Sequence, residues 1–396
     1  MATAEVNDSN HPWRILHLAS SGRWTGAAEP ATMLALEQQN QGHAVLFGCV
    51  EGGSFARRLE ELGLTQAKGF NFDRRLHPGH LLGDLRHLRE IIRKFKPDII
   101  HCHLPHDHWT AALALRKPLA GRFPRVALVR TMHRETAPRT DLAHRWLVGK
   151  GADMVIAISQ SQRKRLIEEV GLPTPRVAWV RGSVDLEKFR PGLPADQIRD
   201  LHRIPRDARV AGLIARMQPN RGHHFFLDTL EKVVAAVPQA FYAVAGRGEI
   251  KDELVTRIRK HPLKKHLRRL GYRKFDLPET YAAMDAVVLI TPGSDGTGRA
   301  MLEAMACARP VIGSNMGSIA DTVCNGETGY LFRPGDREDL TRVLIEALDN
   351  PEHLRRMGEQ ARQYVETNHS RAAQAEAVLQ VYQEAVARRQ KLIGVR

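Results

Sequence analysis

Short apolar runs alternate along the chain with longer stretches in which apolar residues recur every three or four positions. The runs predict strands over 14–18, 43–49, 98–103, 125–131 and 154–159. The periodic stretches between them predict helices over 30–41, 53–62, 81–95 and 161–170. The rhythm restarts beyond residue 200. Strands are predicted over 210–215, 241–245, 286–290 and 310–313, with helices over 225–237, 250–260, 277–284 and 337–349. From 351 to the end the pattern is helical, with apolar residues on one face.

Strand, helix, strand in succession implies parallel pairing with helices packed over the sheet. The break Arg190-Pro191-Gly192-Leu193-Pro194 separates two such series. The expected fold class is therefore α/β, with two doubly wound, Rossmann-like domains facing a central cleft. Residues 1–12 are expected to be a loose polar tail, 13–190 a first domain and 191–369 a second. Ligands of such a fold bind at the carboxyl ends of the strands.

With 396 residues, 43% of them hydrophobic, the chain can build two cores. No run reaches the roughly 18 apolar residues that a membrane span needs. The N-terminus lacks the charged-then-apolar layout of a signal peptide, so a cytoplasmic location is expected. Cys49, Cys102, Cys307 and Cys324 form no CxxC pair, which fits reduced thiols and no metal knuckle. The net charge is +15, and residues 51–150 concentrate it, with 19 basic and 10 acidic side chains. Such a surface suits a nucleic acid, an anionic membrane or a phosphorylated substrate, or is simply a soluble basic surface. With 6% aromatics and no recognised motif, nucleic acid is not the expected partner.

The densest chemistry lies in Asp295-Gly296-Thr297-Gly298-Arg299, followed by a helix-like run through Glu303 to Ala308. A glycine turn feeding a helix N-terminus offers backbone N–H groups to phosphate. The two carboxylates can accept hydrogen bonds from sugar hydroxyls. A capping Asp with a solvent-facing Glu is the plainer account, but it leaves the clustering unexplained. Arg216 and Arg221 follow a predicted strand and can clamp a diphosphate, stabilising the charge of a departing nucleoside diphosphate. Gly26, in the loop after the first strand, either permits close backbone approach by a ligand or belongs to a plain tight turn. Gly246 and Gly248, after the strand 241–245, either do the same or form a plain turn. Among 19 histidines, His103 and His133 sit at strand ends that should open on the cleft. His106, Asp107 and His108 have no zinc-motif spacing, so no metal is expected.

These landmarks together resemble the retaining, nucleotide-sugar-dependent glycosyltransferases of family 4, which have the GT-B fold. The resemblance runs from about Arg14 to the final helix. It takes in the loop at Gly26, Gly42-His43, the stretch Asp98-Ile99-Ile100-His101-Cys102-His103 and Thr131-Met132-His133. It continues through Ala152-Asp153, Gly182-Ser183-Val184-Asp185, Arg216 with Arg221-Gly222, and Gly246-Arg247-Gly248. It ends with Asp295 to Gly329, including Glu303-Ala304-Met305-Ala306.

The resemblance implies that Glu303 holds the nucleotide ribose and that Asp295 faces the transferred sugar. Gly296, Thr297, Gly298 and Arg299 lie beside it. Arg216 and Arg221 take the diphosphate, Gly26 approaches the donor phosphates and acceptor, and His133 stands near the reacting sugar. The first domain becomes the acceptor side, and the final helix, 370–396, packs back on it. The family usually has Glu at Asp295, Lys at Arg221, a second glycine at Ala27 and an aromatic residue at Thr297.

The expected activity is sugar transfer from a nucleoside diphosphate sugar to an acceptor hydroxyl, with retention and without a metal or other cofactor. A lipid-linked or lipopolysaccharide-type glycan is the expected acceptor. Peripheral attachment to the inner face of an anionic membrane would follow from the basic helix at 81–95. The alternative is a catalytically altered sugar-nucleotide or glycan-binding protein of the same fold.

Overall fold

The structure, a computed structural model, describes residues 12–24, 26–72, 78–115, 123, 125–134, 141–291 and 295–394. The expected tail at 1–12 lies outside the described residues except for Pro12. Seven strands form the first sheet: β1 (Arg14–Ala19), β2 (Ala44–Val50), β3 (Gln66–Phe70), β4 (Ile99–Cys102), β5 (Ala127–Met132), β6 (Met154–Ala157) and β7 (Val177–Trp179). Six form the second: β8 (Arg209–Ile214), β9 (Ala240–Ala245), β10 (Leu267–Gly271), β11 (Ala286–Leu289), β12 (Val311–Ser314) and β13 (Gly329–Phe332). The orders are β3-β2-β1-β4-β5-β6-β7 and β10-β9-β8-β11-β12-β13, with parallel pairing throughout. Two doubly wound α/β domains are therefore present. Each order reverses once, between β1 and β4 and between β8 and β11, which opens a crevice at the carboxyl ends of those strands.

Alternate residues of each strand enter different cores, as the period of two requires. In the first sheet Ile15, Phe47, Ile99, Val129 and Ile156 face one layer, while Leu16, Leu18, Ile100 and Leu128 face the other. The first of these layers includes Ala375, Val378, Val381, Tyr382 and Ala385 of the last helix, Arg371–Gly394. The second sheet is covered on both faces in the same way.

Nine predicted strands appear within a residue or two of their expected bounds. The four that the pattern did not predict, β3, β7, β10 and β13, are the four sheet edges. Edge strands are solvated along one side and are kept short or charged. β7 has three residues, and β10 reads Leu-Arg-Arg-Leu-Gly. One predicted helix, 225–237, is two helices, His223–Leu227 and Leu230–Ala236. The break falls at Thr229, whose hydroxyl donates to Phe226 O at 2.8 Å and lies 2.7 Å from the Tyr242 hydroxyl. That side-chain bond competes with the helical ladder.

The chain passes from the first core to the second between Val180 and Val184, and returns between Val365 and Ala375. The two crossings are tied together. Val184 N–H donates to His369 O at 3.0 Å, His369 Nδ1–H donates to Gly182 O at 2.8 Å, and Arg371 pairs with Asp185 at 2.9 Å.

Burial pulls the pKa of His17, His223 and His369 down to about 4 from 6.5. Each folded-state pKa is depressed, so the stability from the neutral ring is complete above 6.5 and is lost as pH falls through 4. Each ring is worth on the order of 3 kcal/mol across that interval. Urea melts from pH 7 to pH 4 should show falling stability, and His369→Asn should lower the slope by about one proton. A flat profile would contradict the neutral, buried assignment.

Candidate functional site

The second sheet brings three of its loops together at the β8/β11 switch point. Arg216 and Arg221 lie in the loop after β8, Arg216 exposed and Arg221 half-buried. Burial lowers the Arg221 pKa, and the like charge of Arg216 lowers it further, so the two guanidinium groups are close enough to repel. Thr291 Oγ1 donates to Asn220 O at 3.0 Å, fixing this loop beside the end of β11. Gly222 packs against Ile290 at φ +75°, where a Cβ would come within 2.3 Å of that side chain.

The stretch carrying the two carboxylates differs from expectation in its backbone. Helix Asp295–Ala306 begins at Asp295, so Gly296 to Gly298 form its first turn instead of a separate loop before Arg299. An acidic residue is favoured in a first turn by the helix dipole. The side chains of Asp295 and Thr297 lie outside the described residues. Two turns on, Glu303 is buried, 6% exposed. Its Oε2 accepts from the Tyr281 hydroxyl at 2.9 Å, and its Oε1 lies 3.3 Å from Arg299 Nε. Arg299 also pairs with Glu29, at the start of helix Ala28–Asn40 in the first domain. One guanidinium thus bridges carboxylates from both domains, one turn of chain from Gly26. Burial raises the Glu303 pKa, opposed by Arg299 and the Tyr281 hydrogen bond. Burial alone would depress Arg299, but Glu303 and Glu29 hold its pKa above the usual value.

Gly246 and Gly248 have a packing reason. The loop after β9 runs against the loop after β8, with Met217 N–H donating to Arg247 O at 3.0 Å and Ile250 N–H to Met217 O at 3.1 Å. A Cβ on Gly246 would lie 1.9 Å from Ala215 O, and one on Gly248 2.2 Å from Met217 O.

On the first sheet, His133 follows β5 and is 7% exposed. Its Nε2 lies 2.9 Å from Nδ1 of His103, which follows β4. Two more buried imidazoles, His17 and His101, stand behind them. Among the described residues, His17, His101 and His103 are the one group of possible metal ligands, their atoms within 4.8 Å of one another. Asp107, beside the histidines 106 and 108, instead accepts from the backbone N–H groups of His103, Leu104 and His108. Burial raises its pKa to about 6. Sequence reasoning passed over His17, Glu29 and Tyr281. The signal for His17 was available, since it lies two residues from Ile15 and from Ala19 on a core-facing strand side.

Substituting Gly246 should expose the close approach. Gly246→Ala combines a blocked Cβ with φ +149° and should destabilise by about 2–3 kcal/mol in urea melts. Gly192→Ala, also at positive φ but with no neighbour within 4 Å, should cost about 1 kcal/mol. Equal losses would show that backbone conformation, not crowding, requires Gly246.

Residues 24–188 match the family described as Glycosyltransferase Family 4, and residues 195–364 match Glycosyl transferases group 1. D-inositol 3-phosphate glycosyltransferase 2 of Catenulispora acidiphila is 26% identical over 309 residues, covering 73% of this chain and 71% of that protein. In fold the chain is similar to Anabaena Alr3699/HepE in complex with UDP-glucose, with a TM-score of 0.75 and 21% identity over 92% of this chain and 98% of that one. It is also similar to a glycosyltransferase from Rickettsia africae, with a TM-score of 0.81 and 20% identity over 95% and 99% of the two chains. With a family match over each half and both sheets arranged as in those structures, the chain belongs to the family 4, group 1 glycosyltransferases, retaining enzymes of the GT-B fold that transfer a sugar from a nucleotide sugar.

Proposed function

We propose that the second domain binds the nucleoside diphosphate sugar and the first domain the acceptor. In this reading Glu303 accepts hydrogen bonds from the ribose, and Arg216 and Arg221 hold the diphosphate. Asp295 faces the sugar beside the N–H groups of Gly296 to Arg299, Gly26 approaches from the first domain, and His133 stands across the cleft. The observation that carries it is the placement of Arg216 and Arg221 in the one loop after β8, at the β8/β11 switch point. Two cations held together there are stabilised by a dianion such as a diphosphate.

The acceptor hydroxyl then attacks the anomeric carbon on the leaving-group face. The bond from that carbon to the diphosphate oxygen breaks, and this oxygen takes the hydroxyl proton. The guanidinium groups stabilise the charge that builds on it, which is the task a metal would otherwise perform. Closure of the two domains excludes water and protects the donor from hydrolysis.

For the acceptor we propose a lipid-linked or lipopolysaccharide-type glycan met at an anionic membrane surface. Among the described residues no helix is long and apolar enough to cross a membrane. Helix Pro78–Phe95 puts Leu85, Leu88 and Ile92 into the core and leaves Arg86, Arg93 and Lys94 exposed, with Leu82 51% exposed beside them. Attraction through this face is electrostatic and falls with salt.

A thermal-shift series with UDP, GDP, ADP and their sugars should raise the melting temperature for one base. Arg216→Ala should lower kcat about 10²–10³-fold in a transfer assay with that donor. An unchanged rate would remove the leaving-group assignment, and binding without turnover would favour a catalytically altered binding protein. Flotation with anionic vesicles at low salt, lost at high salt, is expected for the membrane reading. No flotation at low salt would end it.

A further inference from the structure

Arg299 is poorly placed for its own helix. It lies near the N-terminus of Asp295–Ala306, where the helix dipole disfavours a cation. Its i,i+4 pair with Glu303 also runs in the weaker order, with the base N-terminal to the acid. Helix stability therefore does not account for this residue, and its partners must.

Glu29, in the first turn of helix Ala28–Asn40, takes the Nη1 end of the guanidinium from the first domain. An acid is favoured in that turn by the dipole. The Nε end lies 3.3 Å from Glu303 Oε1. This Nε is buried and has no hydrogen-bond partner among the described residues, so its contact with Glu303 is one of charge alone. Oε2 of Glu303 differs, since it accepts from the Tyr281 hydroxyl at 2.9 Å. Oε1 thus keeps its capacity to accept hydrogen bonds.

A guanidinium without a competing partner closes on a carboxylate through two parallel N–H···O bonds. With Glu29 absent, Arg299 is free to turn this fork onto Glu303 and occupy Oε1. With Arg299 absent, Glu303 loses the main group that opposes its protonation, because burial raises its pKa and Arg299 lowers it. Glu29 meets both demands, keeping the charge beside Glu303 and the oxygen open. The domains do not depend on this pair for contact, since Gln160 N–H of the first donates to Asp321 Oδ2 of the second at 2.7 Å.

We propose that Glu29 is a positioning residue for the nucleotide sugar. By holding the Nη1 end of Arg299 from the opposite domain, it leaves Glu303 Oε1 available to the ribose hydroxyls. The proposal rests on the reading of Glu303 as the ribose carboxylate. One guanidinium then links the first domain to donor binding in the second.

Calorimetric titration of the full chain tests this. The ligands are whichever of UDP, GDP and ADP binds, and the 2′,3′-dideoxy form of the same nucleotide. The wild type should prefer the ribose form. Glu29→Gln should weaken binding of the ribose form about tenfold, the worth of roughly one hydrogen bond, and bind the dideoxy form as the wild type does. Glu29→Asp, which keeps the charge, should recover part of the loss. Glu29→Gln combined with Arg299→Gln should bind no more weakly than Arg299→Gln alone, because the competitor for Oε1 is gone. Unaltered affinity in Glu29→Gln, equal losses for the two ligand forms, or strictly additive losses in the double variant would overturn the proposal. Failure of the ribose reading looks different. In that case Glu303→Ala keeps the wild-type preference for the ribose form, and the proposal falls with the reading. If Glu303→Ala loses the preference while Glu29→Gln retains it in full, the proposal alone fails.

Discussion

Every strand pair among the described residues is parallel, and most of the structure follows from that constraint. A parallel sheet cannot turn back through a hairpin, so each strand returns through a covering segment and each sheet is buried on both faces. All strands of a sheet then end on one side, and the loops at that end collect side chains from distant parts of the sequence. The reversals at β1/β4 and β8/β11 open those loops into crevices. The crossings at Gly182–Val184 and His369, tied by backbone and imidazole hydrogen bonds, join one sheet to the other.

Charge is handled differently on the two sheets. On the second, buried Glu303 pairs with the half-buried Arg299, and Glu29 of the first domain shares the same guanidinium. A buried carboxylate is costly unless it is paired and hydrogen-bonded, and Tyr281 supplies the remaining bond. On the first, the polar cluster is uncharged. Buried histidines satisfy one another, Gln38, Tyr382 and Thr131 through hydrogen bonds, and burial disfavours their protonated forms. An ion-paired cluster at the second sheet thus contrasts with a hydrogen-bonded histidine cluster at the first.

The fold was legible wherever strands are buried on both faces. β8, β9, β11 and β12 announce themselves as apolar runs because no side of them meets water. The edges β3, β7, β10 and β13 did not, because solvation along one side relaxes the demand for apolar residues. The division of 225–237 into two helices depended on the Thr229 hydroxyl finding a carbonyl and Tyr242. At the site, Glu303, Arg299, Arg216 and Arg221 could be singled out because charged residues in otherwise apolar or glycine-rich strand-to-helix junctions are conspicuous. Gly246 and Gly248 were conspicuous too, but their reason is a neighbouring backbone that no local pattern displays.

By itself the sequence determined the α/β class, the central strands, the family and the residues with chemistry to contribute, because hydrophobic period and motif spacing are local properties. Only the tertiary structure decided which of those residues meet. It placed Glu29 on Arg299 across 270 positions and set His17 against His103 across 86. Such pairings depend on strand order and on the layer that covers each sheet face. Both follow from burying the whole apolar surface at once, and a run of neighbouring residues does not record that condition.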